Sequence, residues 1–201
     1  MQAAPSAVPL VGLTGGMGAG KSTALAALEG LGAAVLSTDA VVHELYAEDR
    51  RLREAVVERW GEVLAPGGVV DRAAIARRAF ADERERRWLE GLLWPLVGER
   101  VGAWLVEVQA QRPAPRAAVV EIPLLFEAGM EGLYDATIAI VAPEQLRRER
   151  AAARGHELQT QRAERQLSQE EKARRATFAV RNDGSEQELK KKLSEVLDKL
   201  K

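Results

Sequence analysis

The stretch Val8 to Leu31, VPLVGLTGGMGAGKSTALAALEGL, decides how the rest of the chain is read. It opens on a short apolar run, Val8 to Leu13, broken only by Pro9 and Gly12, which predicts a buried strand. Gly15-Gly16-Met17-Gly18-Ala19-Gly20-Lys21-Ser22 follows and fits G-x-x-x-x-G-K-[ST] at every fixed position. Leu25, Leu28 and Leu31 then recur at helical spacing among alanines, so a helix is expected from the end of the loop. Strand, glycine-rich loop and helix in that order are the context a phosphate-binding loop requires. Glycines reach backbone angles that a β-carbon forbids, so successive N–H groups can turn inward around phosphate oxygens. The helix N-terminus adds partial positive charge. The expected binding set is Gly16, Met17, Gly18, Ala19, Gly20, Lys21, Ser22 and Thr23, with Lys21 on the β- and γ-phosphates and the Ser22 hydroxyl on Mg²⁺.

Composition favours that reading over plain tight packing. The chain has 29 Lys plus Arg, yet Lys21 is its only lysine before Lys172. A compact ammonium stands where the phosphate cradle needs one, in a sequence that elsewhere uses arginine.

The bulk properties bound the class. At 201 residues the chain is expected to form a single domain around one core. A net charge of −1 gives no general pull toward nucleic acid or an anionic membrane. Cysteine is absent, which excludes disulfides, thiolate metal sites and a cysteine nucleophile. The first residues, MQAAPSAVP, lack the positive start of a secretory signal, and no apolar run approaches the ~20 residues of a membrane span. A cytoplasmic location is expected, with small-molecule substrates and no obligate protein partner.

Further along, Gly32 to Leu36 reads as a second strand ending at Ser37-Thr38-Asp39. Thr38 or Asp39 is expected to cap the next helix, with Val41, Val42 and Leu45 on its inner face. Asp39 thus stands at the C-terminal end of a strand in an α/β sheet, where ligands bind in such folds. It is a candidate base as well as a cap, because phosphoryl transfer to an alcohol needs a carboxylate to orient the hydroxyl and take its proton.

From Asp49 to Arg116 the character is arginine-rich helix, too long for a simple crossover, and a helical insertion between sheet strands is expected. Ala65-Pro66-Gly67-Gly68 reads as a turn, Asp71 as a cap, and Ile75 and Phe80 as core. The apolar stripe from Trp88 to Val108 predicts a long amphipathic helix kinked or split at Pro95, with Trp88 and Trp104 in the core. Ala117 to Ile122, Asp135 to Val141 and Phe178 to Arg181 read as three more strands, giving five. Glu121, acidic at the end of an apolar strand, occupies a position suited to assisting a metal through water. Gln145 to Arg165 carries Arg147, Arg148, Arg150, Arg154, Arg162 and Arg165. Most of these read as a solvated helix face, but Arg150 and Arg154 share one face and could close over a triphosphate. Ser168 and Glu171 have capping-box spacing, and Leu189, Leu193, Val196, Leu197 and Leu200 form the stripe of a last helix. His43 and His156 are isolated and lack the company of a metal site.

With these residues laid out, the chain resembles the dephospho-CoA kinase family. GLTGGMGAGKST, then STDAVVHEL, then Val70-Asp71-Arg72, Phe80-Ala81-Asp82, Arg87-Trp88-Leu89-Glu90 and Trp94-Pro95 follow its pattern in order. EIPLLFEAGM (Glu121 to Met130) resembles its most specific signature, and Gln166, Ala176-Thr177-Phe178 and Asn182-Asp183-Gly184-Ser185 its C-terminal one. The resemblance implies an α/β P-loop kinase fold: a five-stranded parallel sheet flanked by helices, a helical acceptor-binding insertion at 49–116, and an arginine lid at 145–166. The nucleotide-binding core would be 8–48 with 117–201. It implies transfer from ATP, with Mg²⁺, to the ribose 3′-hydroxyl of dephospho-CoA. Lys21, Arg150 and Arg154 would be catalytic with Asp39 as general base, and Asn182 would lie near the adenine. Asp39, Pro123, Leu124, Leu125, Phe126 and Glu127 would line the acceptor site. Three positions depart from the family pattern: Ser37 stands where it often has a first aspartate, His43 where it has arginine, and Trp94 where it has histidine. From the residues alone the chemistry stops at a Mg-ATP phosphotransferase with an alcohol acceptor. A kinase for a nucleoside monophosphate or small alcohol acid, and a slow nucleotide-dependent switch, are the rival readings.

Overall fold

The computed structural model describes residues 8–61, 70–152 and 166–200, apart from the side chains of Phe80 and Ala151. The expected turn at 65–68, the core role of Phe80, and Arg154, His156, Arg162 and Arg165 lie outside the described residues.

Five parallel strands form one sheet in the order β2-β3-β1-β4-β5. They are β1 (Leu10–Gly15), β2 (Ala34–Ser37), β3 (Ala118–Glu121), β4 (Ala136–Val141) and β5 (Phe178–Arg181). Helix α1 (Lys21–Glu29) lies between β1 and β2, and α2 (Thr38–Glu48), α3 (Arg50–Trp60), α4 (Arg72–Ala81) and α5 (Glu83–Ala110) lie between β2 and β3. Helices α6 (Glu144–Ala152), α7 (Gln169–Arg175) and α8 (Glu186–Lys199) follow β4. Near-continuous apolar runs make the central strands, as expected where helices cover both faces of a parallel sheet. β1 starts two residues later than its apolar run suggests, because Pro9 has no N–H for the ladder; its carbonyl instead accepts from Ala118 N at 2.8 Å.

The described residues divide into two compact units, one containing those up to Ser37 and from Leu105 onward, the other Thr38–Trp104. In the first, Val11 and Leu13 of β1, Leu28 of α1, Val119 of β3, Ile138 and Ile140 of β4 and Leu189, Leu193 and Leu197 of α8 build one core. The last three bear out the stripe read from the sequence. Ser185 caps α8 through a full capping box with Glu188. Gln109, near the end of α5, pairs twice with the backbone of Val8, at 3.0 and 2.9 Å.

In the second unit Val41, Leu45, Leu52, Val56, Ile75, Leu89 and Leu96 are buried. Asp71 caps α4 as expected, accepting from Ala73 N and Ala74 N. Three expectations are corrected here. α2 begins at Thr38, so Thr38 and Asp39 occupy its first turn instead of flanking it. α5 runs unbroken through Pro95. A proline removes one backbone bond, to the carbonyl of Gly91, while Leu89 and Leu96, two turns apart, hold both halves on one apolar face. Trp88 and Trp104 are half-buried, not core. Trp88 meets Trp60 edge to face, with ring centroids 5.0 Å apart, and Arg59 lies 4.7 Å above its ring.

Glu85 ties this cluster together. It accepts from Arg59 Nε at 2.7 Å, Arg59 Nη2 at 2.8 Å and Trp60 Nε1 at 2.6 Å. The guanidinium first, then the indole N–H, hold its carboxyl below the usual carboxylate range. A lowered folded pKa gives stability that is present above the unfolded value, near 4.5, and is lost as pH falls through the folded one. Glu85→Gln is therefore expected to lower Tm at pH 7, with the gap to wild type closing as pH falls toward 3. Thermal unfolding across that range checks it; a gap independent of pH would contradict the assignment.

Candidate active site

The phosphate-binding loop joins β1 to α1 within the first unit. Gly18 has φ of 72° and Gly20 of 92°, left-handed values that side-chain-bearing residues rarely adopt. Gly20 is the residue before α1 and supplies no side-chain cap, so the first N–H groups of that helix have no capping oxygen from it. They and the loop amides are the donors through which such a motif binds an anion. Lys21 Nζ lies across the loop, donating to the carbonyls of Gly15 at 3.1 Å and Gly16 at 3.3 Å. Ser22 is exposed at the helix start, and Thr23 is half-buried.

α6 packs on this loop and explains its glycines. Arg147 Nε donates to the Met17 carbonyl at 2.8 Å. A β-carbon at Gly18 would run into the Arg147 backbone carbonyl, and one at Gly16 would come 2.9 Å from its guanidinium. Arg147 was expected on a solvated face, and is instead part of the site. Its spacing of three from Arg150 put both on one helix face, and that was the available signal. Arg150 lines a cleft of about 180 Å³ with Gly18, Gly20, Thr23, Asn182, Gly184 and Glu186. Its Nη1 is buried and has no hydrogen-bond partner among the described residues. Such a donor is costly unless a ligand oxygen takes it.

Asn182, expected beside an adenine, is buried with Nδ2 donating to the Ala19 carbonyl at 2.8 Å. It props the loop from beneath, and a β-carbon at Gly20 would collide with it. Gln166 Oε1 accepts the Met17 amide at 3.1 Å from the other side.

The 123–127 segment follows β3. Leu125 and Phe126 are buried, Phe126 beneath the guanidinium of Arg175 at 4.9 Å, while Pro123 and Leu124 are half-buried. Glu127 pairs with Lys172 of α7 at 2.9 Å. Lys172 is fully buried and also donates to the Pro123 carbonyl at 2.8 Å. Burial pushes its ammonium below the ordinary lysine value, and Glu127 pulls it partly back. No feature of QEEKARR, residues 169–175, separated this lysine from a solvated one.

Glu121 is buried at the end of β3, in register with Leu13 of β1 and Ser37 of β2. It accepts from Ser37 Oγ at 3.0 Å, so the serine that departs from the family pattern serves as a neutral donor to this carboxylate. In the second unit Asp39 is exposed in the first turn of α2, two residues past the end of β2. Arg72 donates to His43 Nδ1, and Trp94 is 56% exposed.

No cluster of three His, Cys, Asp or Glu among the described residues could hold a metal by itself. Mg²⁺ keeps several waters and binds through one or two protein groups plus substrate phosphates. Ser22, with Glu121 through water, fits that mode. No helix among the described residues is long and apolar enough to cross a membrane.

Comparison with known proteins agrees with this geometry. The family model described as dephospho-CoA kinase matches residues 9–188. A dephospho-CoA kinase of Moorella thermoacetica is 41% identical over 146 residues, covering 72% of this chain and 68% of the relative. That of Deinococcus radiodurans is 39% identical over 193 residues, covering 94% and 91%. A crystal structure of a Thermus thermophilus protein superposes with a TM-score of 0.81 at 33% identity, covering 98% of this chain and all of that one. The nucleotide cradle and matches that span most of the sequence lead to one assignment: the chain belongs to the dephospho-CoA kinase family.

Proposed function

We propose that this chain transfers the γ-phosphoryl group of ATP to the ribose 3′-hydroxyl of dephospho-CoA, giving coenzyme A and ADP. The observation that carries the reading is the loop-and-arginine cradle: amides of Gly16 to Ser22, the Lys21 ammonium, and the buried Nη1 of Arg150, which has no partner among the described residues. Family membership supports the acceptor's identity.

In this reading the loop amides and α1 N-terminus bind the phosphates, and Lys21 swings from the Gly15 and Gly16 carbonyls to the β- and γ-phosphate oxygens. Arg150 donates to the transferring group as charge develops on it, and Arg154 joins it from the lid at 145–166. Asp39 takes the proton of the attacking hydroxyl. Mg²⁺, held by Ser22 and the phosphates, would neutralise phosphate charge when bound. The helical insertion at 49–116 holds the acceptor. Of the 123–127 segment, Pro123 and Leu124 are available to it, while Leu125, Phe126 and Glu127 hold the loop from behind. The adenine is expected near the Asn182–Gly184 turn.

The test is ADP release with Mg-ATP and dephospho-CoA, AMP, shikimate or no acceptor. Turnover with dephospho-CoA alone is expected. Turnover with AMP or shikimate instead keeps the mechanism and overturns the substrate; ATP binding without turnover returns the chain to the switch class.

A further inference from the structure

We infer that Lys172 is a positioning residue for the transfer step, fixing the phosphate-binding loop and the 123–127 loop relative to each other from inside the first unit. The inference rests on the phosphotransfer reading above.

An ammonium has three N–H donors. Three oxygens surround Lys172 Nζ: Glu127 Oε1 at 2.9 Å, the Pro123 carbonyl at 2.8 Å and Thr14 Oγ1 at 3.5 Å. Thr14 immediately precedes the phosphate-binding loop, and its own hydroxyl donates to the Pro123 carbonyl at 3.3 Å. Pro123 and Glu127 are the two ends of the other loop. Glu127 Oε1 also accepts the Leu167 amide at 2.8 Å, and the adjoining Gln166 takes the Met17 amide at 3.1 Å. The contacts therefore close a ring from Met17 through Gln166, Leu167, Glu127 and Lys172 to Thr14. Apart from α7, which supplies Lys172, every segment in the ring carries or directly adjoins a residue of the proposed site.

Stability alone does not account for this pair. An apolar pair of similar volume fills a buried site as well or better than two desolvated charges. Here the cost is greater still, because Glu127 Oε2 is buried with no partner among the described residues. What the ion pair supplies, and an apolar pair does not, is direction: three donors aimed at three oxygens, two on the 123–127 loop and one at the end of β1.

That difference gives the test. Wild type and the variants Lys172→Met, Glu127→Gln and Lys172→Met/Glu127→Leu are compared by kcat, KM for ATP and Tm. Lys172→Met is expected to lose Tm, because it strands a buried carboxylate, and to lose about 100-fold in kcat, the scale of a displacement of order 1 Å. The double variant is expected to recover Tm while kcat stays low. Glu127→Gln keeps an acceptor for Lys172 and Leu167 and is expected to lose less kcat than Lys172→Met. Recovery of kcat together with Tm in the double variant would show a purely structural pair and overturn the inference. So would an equal kcat loss in Glu127→Gln, which reports charge and not position. The acceptor is the one the wild type uses, so a different substrate leaves the comparison intact; a wild type with no acceptor-dependent turnover overturns both readings.

Discussion

Replacing Asp39 with asparagine is expected to lower kcat by about 10²- to 10⁴-fold, the range that general base catalysis contributes. ATP affinity should stay at the wild-type level. Asparagine keeps the size of the side chain and its hydrogen-bonding oxygen but cannot take a proton from the attacking hydroxyl. Its position suits the proposed role: it is exposed, in the first turn of α2, two residues past the C-terminal end of β2, where ligands bind in α/β sheets. In that proposed role it would act without an acidic residue at position 37, where Ser37 donates its hydroxyl to Glu121. Steady-state ADP release, read beside equilibrium binding of ATP, separates the two effects. A variant that turns over near the wild-type rate would remove Asp39 from the base role.

The second large effect is expected at Lys21. Lys21→Ala should weaken ATP binding and also lower kcat, by about 10²- to 10³-fold, as for loss of one preorganised donor to a developing anion. Lys21→Arg should restore little. The ammonium reaches two carbonyls of its own loop, at 3.1 and 3.3 Å, as a compact point charge, whereas a guanidinium holds its donors in a fixed planar fork on a longer head. Binding and single-turnover rates of the two variants check both statements; an unaffected rate in Lys21→Ala would sink the phosphate-loop assignment.

What the sequence revealed and what it hid divide along physical lines. The motif at 15–22, the five strands and the α8 stripe were legible because glycine geometry and periodic apolarity act locally. The start of β1 shifted because Pro9 cannot donate, and of the kink or split expected near Trp94 the split did not occur, because packing on either side outweighs one lost bond. The roles of Arg147 and Lys172 were illegible for another reason. A charged residue in a charged helix has the same local signature whether it faces water or a buried oxygen; only the tertiary partner distinguishes them. Lys172 meets its partner Glu127 across 45 positions in the chain, and Arg147 meets Met17 across 130. Asn182 was expected beside an adenine; its side chain donates to the Ala19 carbonyl of the phosphate-binding loop, a contact 163 positions away that no local pattern signals.

The central claim is that the phosphoryl group goes to the ribose 3′-hydroxyl of dephospho-CoA. The most direct measurement is the product formed from Mg-ATP and dephospho-CoA, identified by mass spectrometry and ³¹P NMR. The account predicts coenzyme A carrying one new phosphomonoester at the 3′ position, formed in step with ADP. ADP formed while dephospho-CoA is recovered unchanged, or phosphate placed at another hydroxyl, would contradict it.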